Sequence, residues 1–348
     1  MKLGIIGLPQ SGKSTVFAAL TGARGEKGDF IGGQKEAKLA TVTVYDDRID
    51  FLSQMYAPKK TTYAKVEYLL PSHGTKSPGS DWGAEFWSQA RTCDALVSVV
   101  RNFEGTVGTP PTPEADAAKL EEEMIVNDLL VVEKRLERIE LDSKRGKKPE
   151  TGEPELLQSC RDMLEQGQPL RQSPELASHP LLRGFTFLSA KPALIVINNP
   201  DEDEAAPPWN HRPEGIDLIV VRAKLEQDIA EMDAEEAEEF LEAYHIRESA
   251  LDRVIAASFK ILNRISFFTV GSDEVKAWSI RAGTPALEAA GAVHSDIQQG
   301  FIRAEVLAYE DLKAQGSFKA AKSAGLVRLE GKTYEVQDGD IINFRFNI

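Results

Sequence analysis

Cysteine is almost absent: Cys93 and Cys160 are the only two in 348 residues. Two unpatterned thiols exclude a disulfide framework and a zinc site, and they fit a reducing cytoplasm, the expected location of the chain. Cys93 stands at the start of an apolar run and reads as a small buried residue rather than a reactive thiol. Also missing is any apolar stretch approaching the roughly 18 residues that cross a bilayer, so no membrane partner is expected. Residues 1–11 are partly apolar but too short for a signal-peptide core. Positive charge is scarce as well. With 41 Lys and Arg against 55 Asp and Glu, the net charge is −14, which argues against a generally nucleic-acid-attracting surface. The acid excess gathers in runs at 201–204 and 234–239, most simply solvated faces, whereas Lys144-Arg145-Gly146-Lys147-Lys148 is a local basic tract.

What the chain does contain is a complete G-x-x-x-x-G-K-[ST] motif, Gly7-Leu8-Pro9-Gln10-Ser11-Gly12-Lys13-Ser14-Thr15. It follows a short apolar run, 2–6, that reads as a buried strand, and it opens a helical pattern from Thr15. Glycines in such a loop let successive backbone N–H groups surround a di- or triphosphate, with the helix dipole behind them. Gly7, Pro9, Gln10, Ser11, Gly12 and Thr15 would form the cradle. Lys13 would reach the β- and γ-phosphates, and the Ser14 hydroxyl would ligate Mg²⁺. The expected ligand is ATP or GTP with Mg²⁺.

Strand-like runs at 39–45, 64–70 and 95–100 alternate with a helical stretch at 82–91, the pattern of a parallel α/β sheet. A Gly/Pro/Thr-rich break at 105–113 leads into a long amphipathic helix, with Leu120, Met124, Leu129 or Leu130, Leu136 and Ile139 as its apolar stripe. A turn at 146–152 and a returning helix from Leu156 make this a helical hairpin whose basic tip is either an RNA contact or a solvated turn. The α/β pattern resumes with strands at 193–197 and 217–221 and helices at 234–243 and 248–262. From 266 the texture changes to short strands and glycine turns, with a hairpin expected across Asp338-Gly339-Asp340. The predicted organisation is a P-loop nucleotide-binding α/β domain (1–104 and 186–262), an inserted helical coiled-coil hairpin (105–185) and a small α+β tail (266–348) that folds by itself.

The tail segments Phe267-Phe268-Thr269-Val270-Gly271, Glu274-Val275-Lys276-Ala277-Trp278, 290–296 (AGAVHSD), 300–306 (GFIRAEV) and Asp338-Gly339-Asp340-Ile341-Ile342 are similar to the TGS domain of the YchF-type P-loop nucleotidases, a branch of the Obg-like GTPases. The resemblance runs nearly end to end, and the hairpin beginning at 123–129 (EMIVNDL) occupies that family's coiled-coil position. It implies a β-grasp-like tail and a cytoplasmic ATPase or GTPase associated with the ribosome or RNA through the TGS and coiled-coil regions. It also exposes three departures. Leu70 stands where the family has the Asp of D-x-A-G, Gln34 lies near the place of a metal-binding Thr, and 105–109, after Arg101-Asn102-Phe103-Glu104, holds no His. His73, inside the altered segment, is the one candidate catalytic substitute.

For the base, Asn198-Asn199-Pro200-Asp201 fits both N-x-x-D, which reads guanine, and the N-x-x-E of this family, whose branch favours ATP. The resemblance implies that Asn198 fixes the loop, Ala223 offers a backbone N–H to the purine and Lys224 lies along it, with Arg222 replacing a Ser. Two readings follow: a nucleotide-dependent switch of the translation machinery with slow or absent hydrolysis, and a pseudo-NTPase interaction module holding nucleotide as a structural ligand. A phosphoryl or adenylyl transferase lacks any acceptor-site constellation and ranks last. The sequence assigns no oligomeric state.

Overall fold

The computed structural model describes residues 1–24, 36–72, 82–105, 108–232, 236–237, 239–240 and 249–347. They form two compact units, Met1–Val42 with Glu67–Ser258 and Thr43–Val66 with Phe259–Ile348.

A six-stranded sheet organises the first. In chain order its strands are β1 (Lys2–Gly7), β2 (Lys38–Val44), β4 (Ala64–Leu70), β5 (Ala95–Arg101), β6 (Ala193–Asn198) and β7 (Asp217–Val221), with spatial order β2-β4-β1-β5-β6-β7. Strand β1 runs parallel to β4 and β5, β5 to β6, and β6 to β7. The central strands are buried along nearly their whole length, which is why they read as continuous apolar runs rather than alternating ones. Helix α1 (Lys13–Arg24) follows β1, and its Val16, Phe17, Ala19 and Leu20 are buried. The chain moves from β1 outward to β4 and β2 on one side and to β5 on the other. The topological switch point therefore lies at the carboxyl end of β1, where open α/β sheets bind ligands.

After β2 come α2 (Asp47–Tyr56) and β3 (Lys60–Thr62), and after β4 comes α3 (Ala84–Arg91). The hairpin expected from sequence is α4 (Pro113–Lys144) and α5 (Glu153–Glu165), which pack together. Pro113 at the first position and Glu114 and Asp116 in the first turn suit a helix N-terminus. Of the two alternatives for the apolar stripe, Leu129 packs into the hairpin core and Leu130 is exposed. The basic tip is exposed, with Lys144 paired to Glu140 and Lys147 to Asp142. Helices α6 (Pro174–Ser178) and α7 (Ala223–Glu231) follow. Much of the helix expected at 234–243 lies outside the described residues; the one expected at 248–262 is Ala250–Ile261.

The second unit is built on a mixed sheet. Its further strands are β8 (Arg264–Thr269), β9 (Glu274–Arg281), β10 (Phe301–Ala308), β11 (Arg328–Glu330) and β12 (Asp340–Phe346), in the order β11-β10-β12-β8-β9-β3. Strand β12 is parallel to β8, and β3 to β9; the remaining pairs are antiparallel. The expected hairpin across Asp338-Gly339-Asp340 is not formed. Segment 334–336 instead exchanges backbone hydrogen bonds with 284–286, through Ala286 N–H to Tyr334 O at 2.7 Å and Val336 N–H to Thr284 O at 3.1 Å. Strand β12 is already flanked by β10 and β8, so it has no free edge for 333–336. Among the described residues no helix is long and apolar enough to cross a membrane.

Candidate nucleotide site

At the carboxyl end of β1 the chain turns sharply. Gln10 has φ 65° and Gly12 φ 83°, both left-handed. Gly12 is confined further by its neighbours: a Cβ built there would lie 2.1 Å from Asn198 Nδ2. Asn198, the last residue of β6, donates from Nδ2 to Ser11 O at 3.2 Å and accepts at Oδ1 from the Ala223 N–H at 3.2 Å. One amide therefore ties the phosphate loop to the start of α7. On the loop's other side, Trp82 is buried and its indole N–H donates to Gly7 O at 3.3 Å.

Lys13 begins α1 with its side chain folded back across the loop, Nζ donating to Leu8 O at 3.1 Å. It is only 4% exposed, and burial lowers its pKa from 10.5 to about 8. An ammonium has three donors, so two remain for phosphate oxygens, whose charge would offset the desolvation. Ser14 is exposed at the next position and Thr15 is half-buried; Pro9 and Gln10 are exposed. Ser11 is buried, and its Oγ has no hydrogen-bond partner among the described residues. These residues fit a nucleotide: a glycine-dependent backbone cradle, a desolvated cation and a hydroxyl. Among the described residues no group of three or more His, Cys, Asp or Glu could hold a metal. The exposed Ser14, next to Lys13, offers a hydroxyl that could hold a hard cation such as Mg²⁺ carried by the phosphates.

The residues expected to meet the base are brought to one edge of the loop, each already engaged. Asn199 is buried. Its Nδ2 donates to Asp203 O at 2.9 Å and Ala205 O at 2.8 Å, and its Oδ1 accepts from Asn102 Nδ2 at 2.9 Å. Its amide therefore shapes the loop. Asp201 Oδ1 accepts from the Leu225 N–H at 3.0 Å, satisfying an orphan donor at the start of α7. The Ala223 N–H, expected to meet the purine, is engaged by Asn198. Lys224 is exposed and its ammonium pairs with Asp228, one turn along α7. Asn102 and Trp82 were not singled out from sequence as site residues, because their roles depend on partners distant in the chain.

The switch positions are only partly described. Gln34 and His73 lie outside the described residues. Leu70, at the place of the family Asp, ends β4 and is 7% exposed, an apolar core residue. After β5, the loop closes on itself: Gly105 N–H donates to Thr109 O at 3.1 Å, and Arg101 reaches Thr109 O and Pro110 O, both at 3.5 Å.

Residues 264–347 match the family model YchF-GTPase_C, described as "Protein of unknown function (DUF933)". The chain is 39% identical to "Ribosome-binding ATPase YchF" of Bacillus subtilis, covering 99% of both sequences. It is 36% identical to the protein of the same name from Escherichia coli O157:H7, covering 100% of this chain and 99% of the relative. Among solved structures, the Schizosaccharomyces pombe YchF GTPase superposes with a TM-score of 0.83 at 28% identity, over 99% of this chain and 97% of that one. Such end-to-end similarity, together with the phosphate loop and the mixed C-terminal sheet, places this chain in the YchF family.

Proposed function

We propose that this chain is a ribosome-associated nucleotide switch that holds Mg²⁺ with ATP or GTP on residues 7–15 and hydrolyses it slowly or not at all. The observation that carries the reading is the loop itself: Lys13 desolvated beside a left-handed Gly12 that leaves no room for a side chain against Asn198. A buried ammonium without a carboxylate partner among the described residues is poised for an anion. The ribosome enters through the relatives named "Ribosome-binding ATPase YchF".

Slow turnover is supported by what surrounds the loop. Phosphoryl transfer depends on positioning water and neutralising charge around Mg²⁺. Leu70 offers neither an oxygen nor a charge, and the sequence of 105–109 supplies no His. Weak discrimination between bases is supported by Asp201, whose Oδ1 already accepts from the Leu225 N–H and would have to share that acceptor with a guanine edge.

Single-turnover phosphate release with protein in excess over ATP or GTP, run beside binding titrations, tests both points. The expected result is binding of both nucleotides with a rate constant far below about 1 s⁻¹. Brisk release that disappears in His73→Ala would overturn the slow-turnover reading. A GTP preference above roughly 100-fold, about 2.7 kcal/mol, would show that Asp201 reads guanine after all. The pseudo-NTPase alternative differs in its readout: nucleotide would stabilise the chain without altering ribosome binding.

A further inference from the structure

The root of the phosphate loop is held by a side chain outside the motif. Among the described residues, β1 pairs with β5 as far as Gly7 and Val99, but with β4 only as far as Gly4 and Leu69. The last residues of β1 therefore have a partner strand on one side alone. Gly7 is pressed against β5: a Cβ built there would lie 2.5 Å from Val99 O. Its carbonyl takes a donor from a side chain, the indole N–H of Trp82 at 3.3 Å. Trp82 is itself fixed by packing. It is buried, its ring centroid lies 5.8 Å from that of Phe86 and 5.2 Å from that of Trp87, and their cluster includes Leu120 and Met124 of α4.

From Gly7 the constraint reaches Lys13 through few free torsions. The Gly7–Leu8 peptide is planar, so holding the Gly7 carbonyl fixes that plane. Pro9 confines Leu8 to extended conformations and has a fixed φ of its own. The direction of the Leu8 carbonyl then follows. Leu8 O accepts from the Ser11 N–H at 3.2 Å and from Lys13 Nζ at 3.1 Å, so it sets both the curl of the loop and the place of the ammonium. The Leu8 side chain packs on the same cluster as Trp82.

We propose, on the reading of residues 7–15 as a nucleotide site, that Trp82 is a positioning residue for phosphate binding. By holding the Gly7 carbonyl, its indole N–H orders the loop and Lys13 before a nucleotide arrives. Without that donor a buried carbonyl goes unsatisfied, and the ordering must be done by the phosphates, which lowers affinity. The base loop takes no part, so ATP and GTP are affected alike.

Two variants separate this role from general packing. Trp82→Phe keeps a ring in the cluster and removes the N–H. Trp87→Phe removes an indole from the same cluster whose N–H has no hydrogen-bond partner among the described residues. ATP and GTP are titrated into the parent chain and both variants, at a temperature where urea unfolding shows each to be fully folded, so that lost stability by itself leaves affinity unchanged. Trp82→Phe should weaken both nucleotides by the same factor, about three- to tenfold, while Trp87→Phe binds as the parent does. The pH profile gives a second readout. A slack loop returns water to the Lys13 ammonium and raises its pKa toward 10.5, so the alkaline fall in affinity should move to higher pH in Trp82→Phe and stay in place in Trp87→Phe. Unchanged affinity in Trp82→Phe, equal weakening in Trp87→Phe, or a loss confined to one nucleotide would each overturn the proposal. A parent chain that binds neither nucleotide would instead overturn the reading of the loop itself, and the proposal with it.

Discussion

Lys13 is the residue at which stability and ligand binding oppose each other. Its ammonium is buried, and its pKa falls from 10.5 to about 8 because burial disfavours the charged form. In the unfolded chain the same group titrates near its ordinary value, so between these two pH values the unfolded state binds more protons. Stability should therefore rise as pH climbs from about 8 toward 10.5, and below pH 8 the charge weakens the ligand-free fold by its full amount, on the order of 3 kcal/mol. Lys13→Met should raise the melting temperature of the ligand-free protein at pH 7 and remove the further rise that nucleotide produces. Scanning fluorimetry with and without ATP reads both. In the parent chain a phosphate raises the lysine pKa again, so affinity should fall about tenfold between pH 7.5 and 9, with proton uptake on binding. Calorimetry in two buffers of different ionisation enthalpy measures that uptake; an affinity flat across this range would remove Lys13 from the phosphate site.

One buried carboxylate ties the helical insertion to its neighbours. Asp128 lies on the inward face of α4 in step with Leu120, Met124 and Val132, at a position where an apolar residue would continue the stripe, and it is fully buried. It accepts from the Leu188 N–H at 3.0 Å, the Ser189 N–H at 2.7 Å and the Ser189 hydroxyl at 2.8 Å, and it pairs with Arg91 at 2.8 Å. α4 is thereby joined both to the segment entering β6 and to the end of α3. Asp128→Ala leaves a guanidinium and two backbone donors without their acceptor and should cost about 3–5 kcal/mol in urea unfolding. Asp128→Asn retains one acceptor and should cost less. Equal losses in the two variants would mean that the carboxylate charge carries the whole effect and that the acceptor kept by Asn contributes nothing.

At the scale of the molecule, the second unit is discontinuous in sequence. Ile49, Leu52 and Ala64 share one core cluster with Phe268, Val275, Ala277, Leu307, Tyr309 and Ile341. Strand β3 adds an edge to the sheet beside β9, and Arg48 of α2 pairs with Asp338 at 2.7 Å. A fragment of 266–348 alone would expose the apolar surface that 49–64 covers. It is expected to aggregate or remain partly unfolded, whereas joining 43–66 to 259–348 through a flexible linker should restore a cooperative transition. Circular dichroism and gel filtration of the two fragments distinguish these outcomes. A cooperatively folded 266–348 would show that the cluster built on its other face, with Phe267, Phe301, Val306 and Phe344, suffices.

Local order was legible in the chain by itself. The phosphate loop is contiguous, its left-handed Gly12 being a glycine already in the motif, and the buried strands announce themselves as apolar runs. Helix α4 is likewise written in its three-to-four spacing, though that spacing admitted both Leu129 and Leu130 until packing drew one against the hairpin core and left the other exposed. Tertiary structure alone decided the partners. Asn198 meets Ser11 across 187 positions, and the Ala223 N–H goes to Asn198 instead of standing free for a base. Asp128 interrupts an apolar stripe for donors 60 residues onward, and 334–336 pairs with 284–286 because β12 had no edge left to give. Periodicity reports how a segment buries its own side chains. Which polar group satisfies which is settled only when distant segments exclude water together, and that choice leaves no periodic trace in the sequence.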